Sequence, residues 1–199
     1  MTQILVPFRS SDPKTRLAPV LAPSERTALA TCLRRDVCRT IRDAGYEPTL
    51  LSTEPTDADP EIVDDRGLSA AVNAHLEPPT AVIMADLGLA TPDAITRLLE
   101  TPGDVVIAPG RGGGTNAIVI RDDAFTVDYH GGSLLDHRRN CDTLDLSLSV
   151  IDSYRLATDI DTPADLPELL MHATNESATW LSDRFTLDTS TSRVELRRQ

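Results

Sequence analysis

An apolar run, Val82-Ile83-Met84-Ala85, ends in Asp86, and a carboxylate at the end of a buried strand is well placed to hold a cation. An acidic pair stands at Asp159-Ile160-Asp161, also after an expected strand. Alternate residues of an extended chain point to one face, so both carboxylates can converge on one ion. Magnesium suits such a set, because it takes one or two protein carboxylates and fills its other positions with water and substrate phosphates. Simpler roles stand beside these: Asp86 as a turn or cap aspartate, and Asp161-Thr162-Pro163 as a helix N-cap with proline at N1. A third cluster, Pro7-Phe8-Arg9-Ser10-Ser11-Asp12-Pro13-Lys14-Thr15-Arg16-Leu17, puts Arg9, Lys14 and Arg16 close together just after the first apolar run. Arginine offers phosphate a bidentate fork and lysine a compact point charge, so this loop is the natural place for a triphosphate. A surface loop with chance charges is the plain alternative, but Lys14 is the only lysine in the chain.

Two further loops have anion-binding chemistry. Gly110-Arg111-Gly112-Gly113-Gly114-Thr115-Asn116 lies between two apolar runs. Its glycines allow successive N–H groups to form a nest, although a flexible hairpin turn has the same composition. The phosphate loop GxxxxGK[ST] and the dinucleotide fingerprint GxGxxG between strand and helix are both absent. Tyr129-His130-Gly131-Gly132-Ser133 precedes a helical pattern, which puts Ser133 near an N-cap where amides attract an anion. His137 shares a helix face with Ser133, but with no GxSxG elbow the pair gives little support to acyl transfer.

These residues need a scaffold, and the composition supplies one. The chain has 199 residues with 40% hydrophobic content, enough for a packed core in one domain. With 31 acidic and 19 basic residues the net charge is −12, which disfavours a nucleic-acid surface and a membrane surface. No apolar run approaches the roughly 20 residues needed to span a bilayer. No charged leader precedes Ile4, and the three cysteines form no CxxC pair, so a reducing cytoplasm is expected. An excess of aspartate with almost no lysine points to a high-salt cytoplasm, where self-repulsion is screened.

Strands are expected over residues 2–6 (stopped by Pro7), 49–51, 80–85, 104–108, 117–120 and 146–151. Ser24 is the expected N-cap of a helix carrying Leu29, Cys32, Leu33, Val37 and Ile41 and closed by Gly45. Further helices are expected over 67–76, 92–100, 133–140 and 163–172. Residues 43–65 hold eight acidic and no basic residues, which suggests a solvated edge. Strands alternating with helices imply an α/β domain with a mostly parallel central sheet flanked by helices, and such sheets bind ligands beyond the carboxyl ends of their strands. The domain is expected over 1–174, and residues 175–199, anchored by Trp180, Leu181, Phe185 and Val194, as an arm or short hairpin packing on it or on a partner subunit.

Taken in order, VPFRSSDPKTRL, VIMADLGL, GRGGGTNA, YHGGS…H and TDIDTPADL resemble the 2-phospho-L-lactate guanylyltransferase family of coenzyme F-420 biosynthesis. The resemblance covers nearly the whole chain, and it lies in the order and spacing of the segments rather than in any one motif. It implies a Rossmann-like nucleotide-diphospho-sugar transferase fold, GTP and 2-phospho-L-lactate as substrates, pyrophosphate as product, Mg²⁺ as cofactor and a homodimer. Carried over, Arg9, Lys14 and Arg16 contact GTP phosphates, Gly67, Leu68 and Asn73 lie near the nucleotide, and Asp86, Asp159 and Asp161 bind the metal. Lys14, Arg16, Asp86 and Asp161 are then the catalytic set, and Thr115, His130, Gly131 and Ser133 hold the acceptor. Phosphoenolpyruvate, 3-phosphoglycerate, a sugar phosphate or a molybdopterin stay open as other acceptors, and a non-catalytic nucleotide-binding module as another role. The chain departs from the family pattern at Gly88, where proline is usual, implying a looser loop after Asp86, and at Ser69, where asparagine is usual.

Overall fold

A computed structural model describes residues 2–190 and 194–199. Its centre is a seven-stranded sheet of β1 (Gln3–Phe8), β2 (Pro48–Ser52), β3 (Glu61–Val63), β4 (Thr80–Ile83), β5 (Val105–Pro109), β6 (Thr115–Ile120) and β7 (Leu148–Val150), in the order β3-β2-β1-β4-β6-β5-β7. All run parallel except β6, which is antiparallel to both β4 and β5. That reversal matters for the site. The start of β6, Thr115-Asn116, comes to the same edge as the carboxyl ends of β4 and β5, and the Asn116 carbonyl accepts from Met84 N at 3.0 Å.

The central strands are largely apolar on both faces, as strands must be when helices cover each side. One face packs against α1 (Pro23–Asp43), α3 (Pro92–Glu100) and α5 (Tyr154–Ala157), with Val37, Ile41, Ile95, Leu98 and Leu156 set on Ile4, Val6, Ile83 and Val119. The other face packs against α2 (Leu68–Ala74) and α4 (Ser133–Leu144), with Val72, Phe125 and Cys141 set on Leu51, Val82 and Ile118. A second core lies on the far side of α1. There Leu17, Leu29 and Leu33 meet α6 (Leu166–His172), α7 (Glu176–Ser182) and the start of β8 (Phe185–Asp188). No described helix is long and apolar enough to cross a membrane.

Several elements differ from their expected form. Pro7 lies inside β1 rather than ending it, because β4 pairs only with Gln3–Leu5 and leaves no ladder partner to miss the proline N–H. The first helix starts at Pro23 and not after Ser24. Proline occupies N1, and the Glu25 carboxylate reaches back to the Ala22 N–H at 2.9 Å. Residues 163–165 form a turn, so α6 begins later than expected and Asp161 is not its N-cap. The tail forms α7 and a hairpin of β8 with β9 (Glu195–Arg198). It packs on its own chain. Asp36 of α1, almost fully buried, accepts from Glu176 N and Ser177 N (3.1 and 2.8 Å), while Arg198 pairs with Glu25.

Gly88 is packed rather than loose. A Cβ there would lie 2.6 Å from Leu33 Cδ2 and 2.9 Å from Leu169 Cδ1, and its carbonyl accepts from Asn175 Nδ2 at 2.9 Å. Gly88→Ala is therefore expected to destabilise by about 1–3 kcal/mol through overpacking. Thermal unfolding in high-KCl buffer checks it, at roughly 2–4 °C per kcal/mol for a chain of this size.

Candidate active site

The loop after β1 is held in a costly conformation. Asp12 and Lys14 both take left-handed backbone, with φ of 43° and 55°, on the order of 1–3 kcal/mol each for residues with a Cβ. Buried Arg26 of α1 compensates: one guanidinium nitrogen donates to Asp12 Oδ1 at 2.9 Å and another to the Pro13 carbonyl at 3.4 Å. A single 3-10 turn, Thr15–Leu17, then buries Leu17 in the second core. The effect is to aim Lys14 across the sheet edge at Asp86.

Lys14 Nζ donates to Asp86 Oδ2 at 2.6 Å and stands 3.6 Å from Asp161 Oδ1, while Arg16 Nη1 donates to Asp161 Oδ2 at 2.7 Å. Burial alone would lower the Lys14 pKa, but Asp86, Asp161 and Asp159 outweigh it and the net shift is upward. The ammonium therefore stays charged across the neutral range. Asp159 shifts upward through its burial and the nearby Asp86 charge, against a 3.3 Å hydrogen bond from Asn116 Nδ2.

Asp165, four residues after Asp161, shapes this loop. Its Oδ2 accepts from Asp161 N (3.2 Å), Thr162 N (2.7 Å) and Thr162 Oγ1 (2.8 Å), and its Oδ1 is held by Arg111. Sequence reading missed both roles. The only signal was an aspartate closing the Thr162-Pro163-Ala164 turn and an arginine inside the glycine loop.

Among the described residues no three His, Cys, Asp or Glu side chains group closely enough to hold a metal ion alone. Two features nonetheless suit a cation that also uses water and phosphate oxygens. Asp86 Oδ1 is buried and has no hydrogen-bond partner among the described residues. The Lys14 ammonium already sits as a positive charge between Asp86 and Asp161. Asp159 lies beside them, engaged with Asn116.

Two cavities share Pro7, Phe8, Arg9 and Met84 and so form one cleft across the end of β1 and β4. The first, about 300 Å³, is lined by Lys14, Asp86 and Asp161. The second, about 650 Å³, is lined by Gly67, Leu68 and the acidic side chains Glu54, Asp64 and Asp65. The acid-rich segment 43–65 is thus more than a solvated edge, since its end walls the cleft. Asn73 lines neither cavity. Its Oδ1 accepts from Val127 N at 2.8 Å and its Nδ2 donates to the Val127 carbonyl at 2.9 Å, so the amide ties α2 to segment 125–129.

The structure brings Thr115 and Ser133 together but not His130. Thr115 N donates to Ser133 Oγ at 2.9 Å, and both residues are buried. The His130 side chain is 79% exposed and pairs with Asp128, while Gly131 lies exposed in the adjoining turn. The buried histidine is His137, fully enclosed, with Nδ1 2.9 Å from Thr115 Oγ1 and Nε2 accepting from Asp128 N at 3.0 Å.

Burial pushes the His137 imidazole from 6.5 to about 4, against partial opposition from Asp128 and Asp136. The folded state therefore holds this ring neutral while the unfolded chain protonates it below its ordinary value. Stability present above 6.5 is expected to be lost as pH falls toward about 4. Thermal unfolding between about pH 7 and 5 checks this, and His137→Asn should flatten the slope.

Comparison with known proteins identifies the family and the fold. The family described as "Guanylyl transferase CofC like" matches residues 2–198. A 2-phospho-L-lactate guanylyltransferase of Natronomonas pharaonis is 54% identical over 181 residues, covering 90% of each chain. That of Halorubrum lacusprofundi is 47% identical over 216 residues, covering 99% of this chain and all of the other. Among solved structures, a Desulfovibrio desulfuricans G20 protein described as a nucleotide-diphospho-sugar transferase superposes with a TM-score of 0.73 at 15% identity, over 92% of this chain and 95% of that one. This last likeness establishes the shared fold.

Proposed function

The chain belongs to the CofC-like guanylyl transferase family, and from that premise we infer that it joins GTP to 2-phospho-L-lactate, giving lactyl-2-diphospho-5′-guanosine and pyrophosphate for coenzyme F-420 biosynthesis. The reading is carried by the match over residues 2–198. The site chemistry supports it.

The attacking atom is a phosphate oxygen of the acceptor. Its second pKa is near 6, so it arrives ionised at neutral pH and needs no general base. It forms a bond to the α-phosphorus of GTP while the bond to the β-phosphate bridge oxygen breaks, and the electron pair leaves with pyrophosphate. The protein's work is to orient the two substrates and offset charge. Lys14 and Arg16 face the first cavity's carboxylate pair and supply the positive charge for the phosphates. Glu54 and Asp65 wall the second cavity with acceptors of the kind that the guanine N1–H and 2-amino group require. Asp86 and Asp161, with Asp159 beside them, would hold Mg²⁺. When bound, that ion neutralises phosphate oxygens.

The test is pyrophosphate release in high-KCl buffer with Mg²⁺, GTP and a panel of phosphorylated acids. Release with 2-phospho-L-lactate is the expected result. Release only with phosphoenolpyruvate, 3-phosphoglycerate or a sugar phosphate overturns the acceptor, and GTP binding without turnover on any acceptor overturns the enzyme. The homodimer expected of the family is checked by light scattering in the same buffer.

A further inference from the structure

His137 is buried, makes two polar contacts and sits 20 or more residues from every carboxylate of the cation site. Its hydrogen-bond pattern fixes where its proton lies. A backbone N–H can only donate, so the Asp128 N–H at 3.0 Å requires a lone pair on Nε2. A neutral imidazole carries one N–H, which must then be on Nδ1, and that N–H donates to Thr115 Oγ1 at 2.9 Å. Phe125 and Tyr129 pack on the ring at centroid distances of 5.9 and 5.3 Å and hold its plane.

The consequence falls on two hydroxyl groups. Thr115 Oγ1 accepts from His137, so its own hydrogen is not spent on the ring. Ser133 Oγ accepts from Thr115 N, so its hydrogen is free in the same way. Among the described residues neither hydroxyl has a protein acceptor. The Leu134 N–H donates to the Gly113 carbonyl at 3.2 Å and joins the glycine loop to the turn before α4, so both hydroxyls lie where these loops meet. Two hydroxyl donors facing no protein acceptor suit a group that only accepts, such as a carboxylate.

We propose that His137 is a positioning residue that turns the Thr115 hydroxyl, beside that of Ser133, into a donor for the carboxylate of the phosphorylated acid. The proposal rests on the acceptor reading above. A Ser133–His137 nucleophile pair is not what the geometry builds, because His137 bonds to Thr115 and Asp128 instead.

Two substitutions separate the ring's two nitrogens. His137→Asn keeps a donor at the Nδ1 place, and His137→Gln keeps an acceptor near the Nε2 place. His137→Gln is expected to raise KM for 2-phospho-L-lactate by about 10- to 100-fold, the range for a hydrogen bond to a charged group, with KM for GTP unchanged. His137→Asn should bring the acceptor KM back toward wild type. Thr115→Val should match His137→Gln, and the double variant should lose no more than either, which keeps the test open if one histidine variant fails to fold. Folded variants with an unchanged acceptor KM, with both KM values raised alike, or with asparagine no better than glutamine would overturn the role of His137 alone. A wild-type chain inactive on 2-phospho-L-lactate would overturn the acceptor reading and this role with it.

Discussion

Lys14→Met is expected to lower kcat on the order of 10²- to 10³-fold, the loss seen when one preorganised charge-stabilising donor is removed. Lys14 is the only lysine in the chain, and its side chain is turned inward onto Asp86 and Asp161. Methionine keeps most of the apolar stem and removes the charge, so the variant isolates electrostatics from packing. Its stability should fall by only about 1–3 kcal/mol, below the range for a fully buried pair, because Asp86 is 26% exposed and water screens what remains. Arginine is not expected to rescue it, since a planar fork cannot replace a compact ammonium 2.6 Å from one carboxylate oxygen. Steady-state pyrophosphate release together with thermal unfolding checks both halves. If the cation and the ammonium share the Asp86–Asp161 gap, added Mg²⁺ should raise the melting temperature more in Lys14→Met than in wild type. Turnover within tenfold of wild type would remove Lys14 from the phosphate chemistry.

Asp161→Asn is expected to abolish Mg²⁺-dependent turnover to a similar degree while leaving the fold in place. The substitution conserves shape, and the backbone of residue 161 is held by Asp165 and not by its own side chain. What it removes is the negative charge that faces Lys14 and Arg16. The expected signature is lost turnover with an unchanged circular dichroism spectrum and a melting temperature near wild type. Activity close to wild type would take Asp161 out of the cation site.

The parts of the site that could be read in advance are those whose chemistry is local. Asp86 ends a buried apolar run, and the basic loop stands out against an acidic chain. That the Lys14 loop and the Asp86 strand end, 72 residues apart, gather at one edge followed from the rule that ligands bind at the carboxyl ends of parallel strands, whereas the ion pair itself depends on the left-handed backbone at Lys14. What stayed hidden depends on long-range pairing. The family resemblance puts Asn73 near the nucleotide, yet Val127 takes both of its amide atoms. His130 and His137 are both near Ser133 in sequence, and only packing shows that the first faces solvent while the second is enclosed. The reversal of β6 was not legible either, because an apolar run of this length carries no sign of its direction. Asp161 looked like a helix cap because Thr162-Pro163 mimics a helix start, while the Asp165 carboxylate turns that stretch into a tight loop.

The antiparallel β6 has a consequence for how such a protein can change over generations. It delivers the residues proposed to face the acceptor as one uninterrupted stretch, 110–137, while the cleft proposed for the nucleotide is lined by segments up to residue 86 together with Asp161. Substrate choice can therefore drift within one stretch, and a transplanted cassette spanning 110–137 that keeps Arg111 and Asn116, which bond Asp165 and Asp159, would be the economical way to re-aim the enzyme at a different acid. The cassette is not fully detachable: Asn73 grips Val127 and Ser69 accepts from Tyr129 N at 2.8 Å, so α2 is its socket. A working graft would have to bring those two α2 residues along.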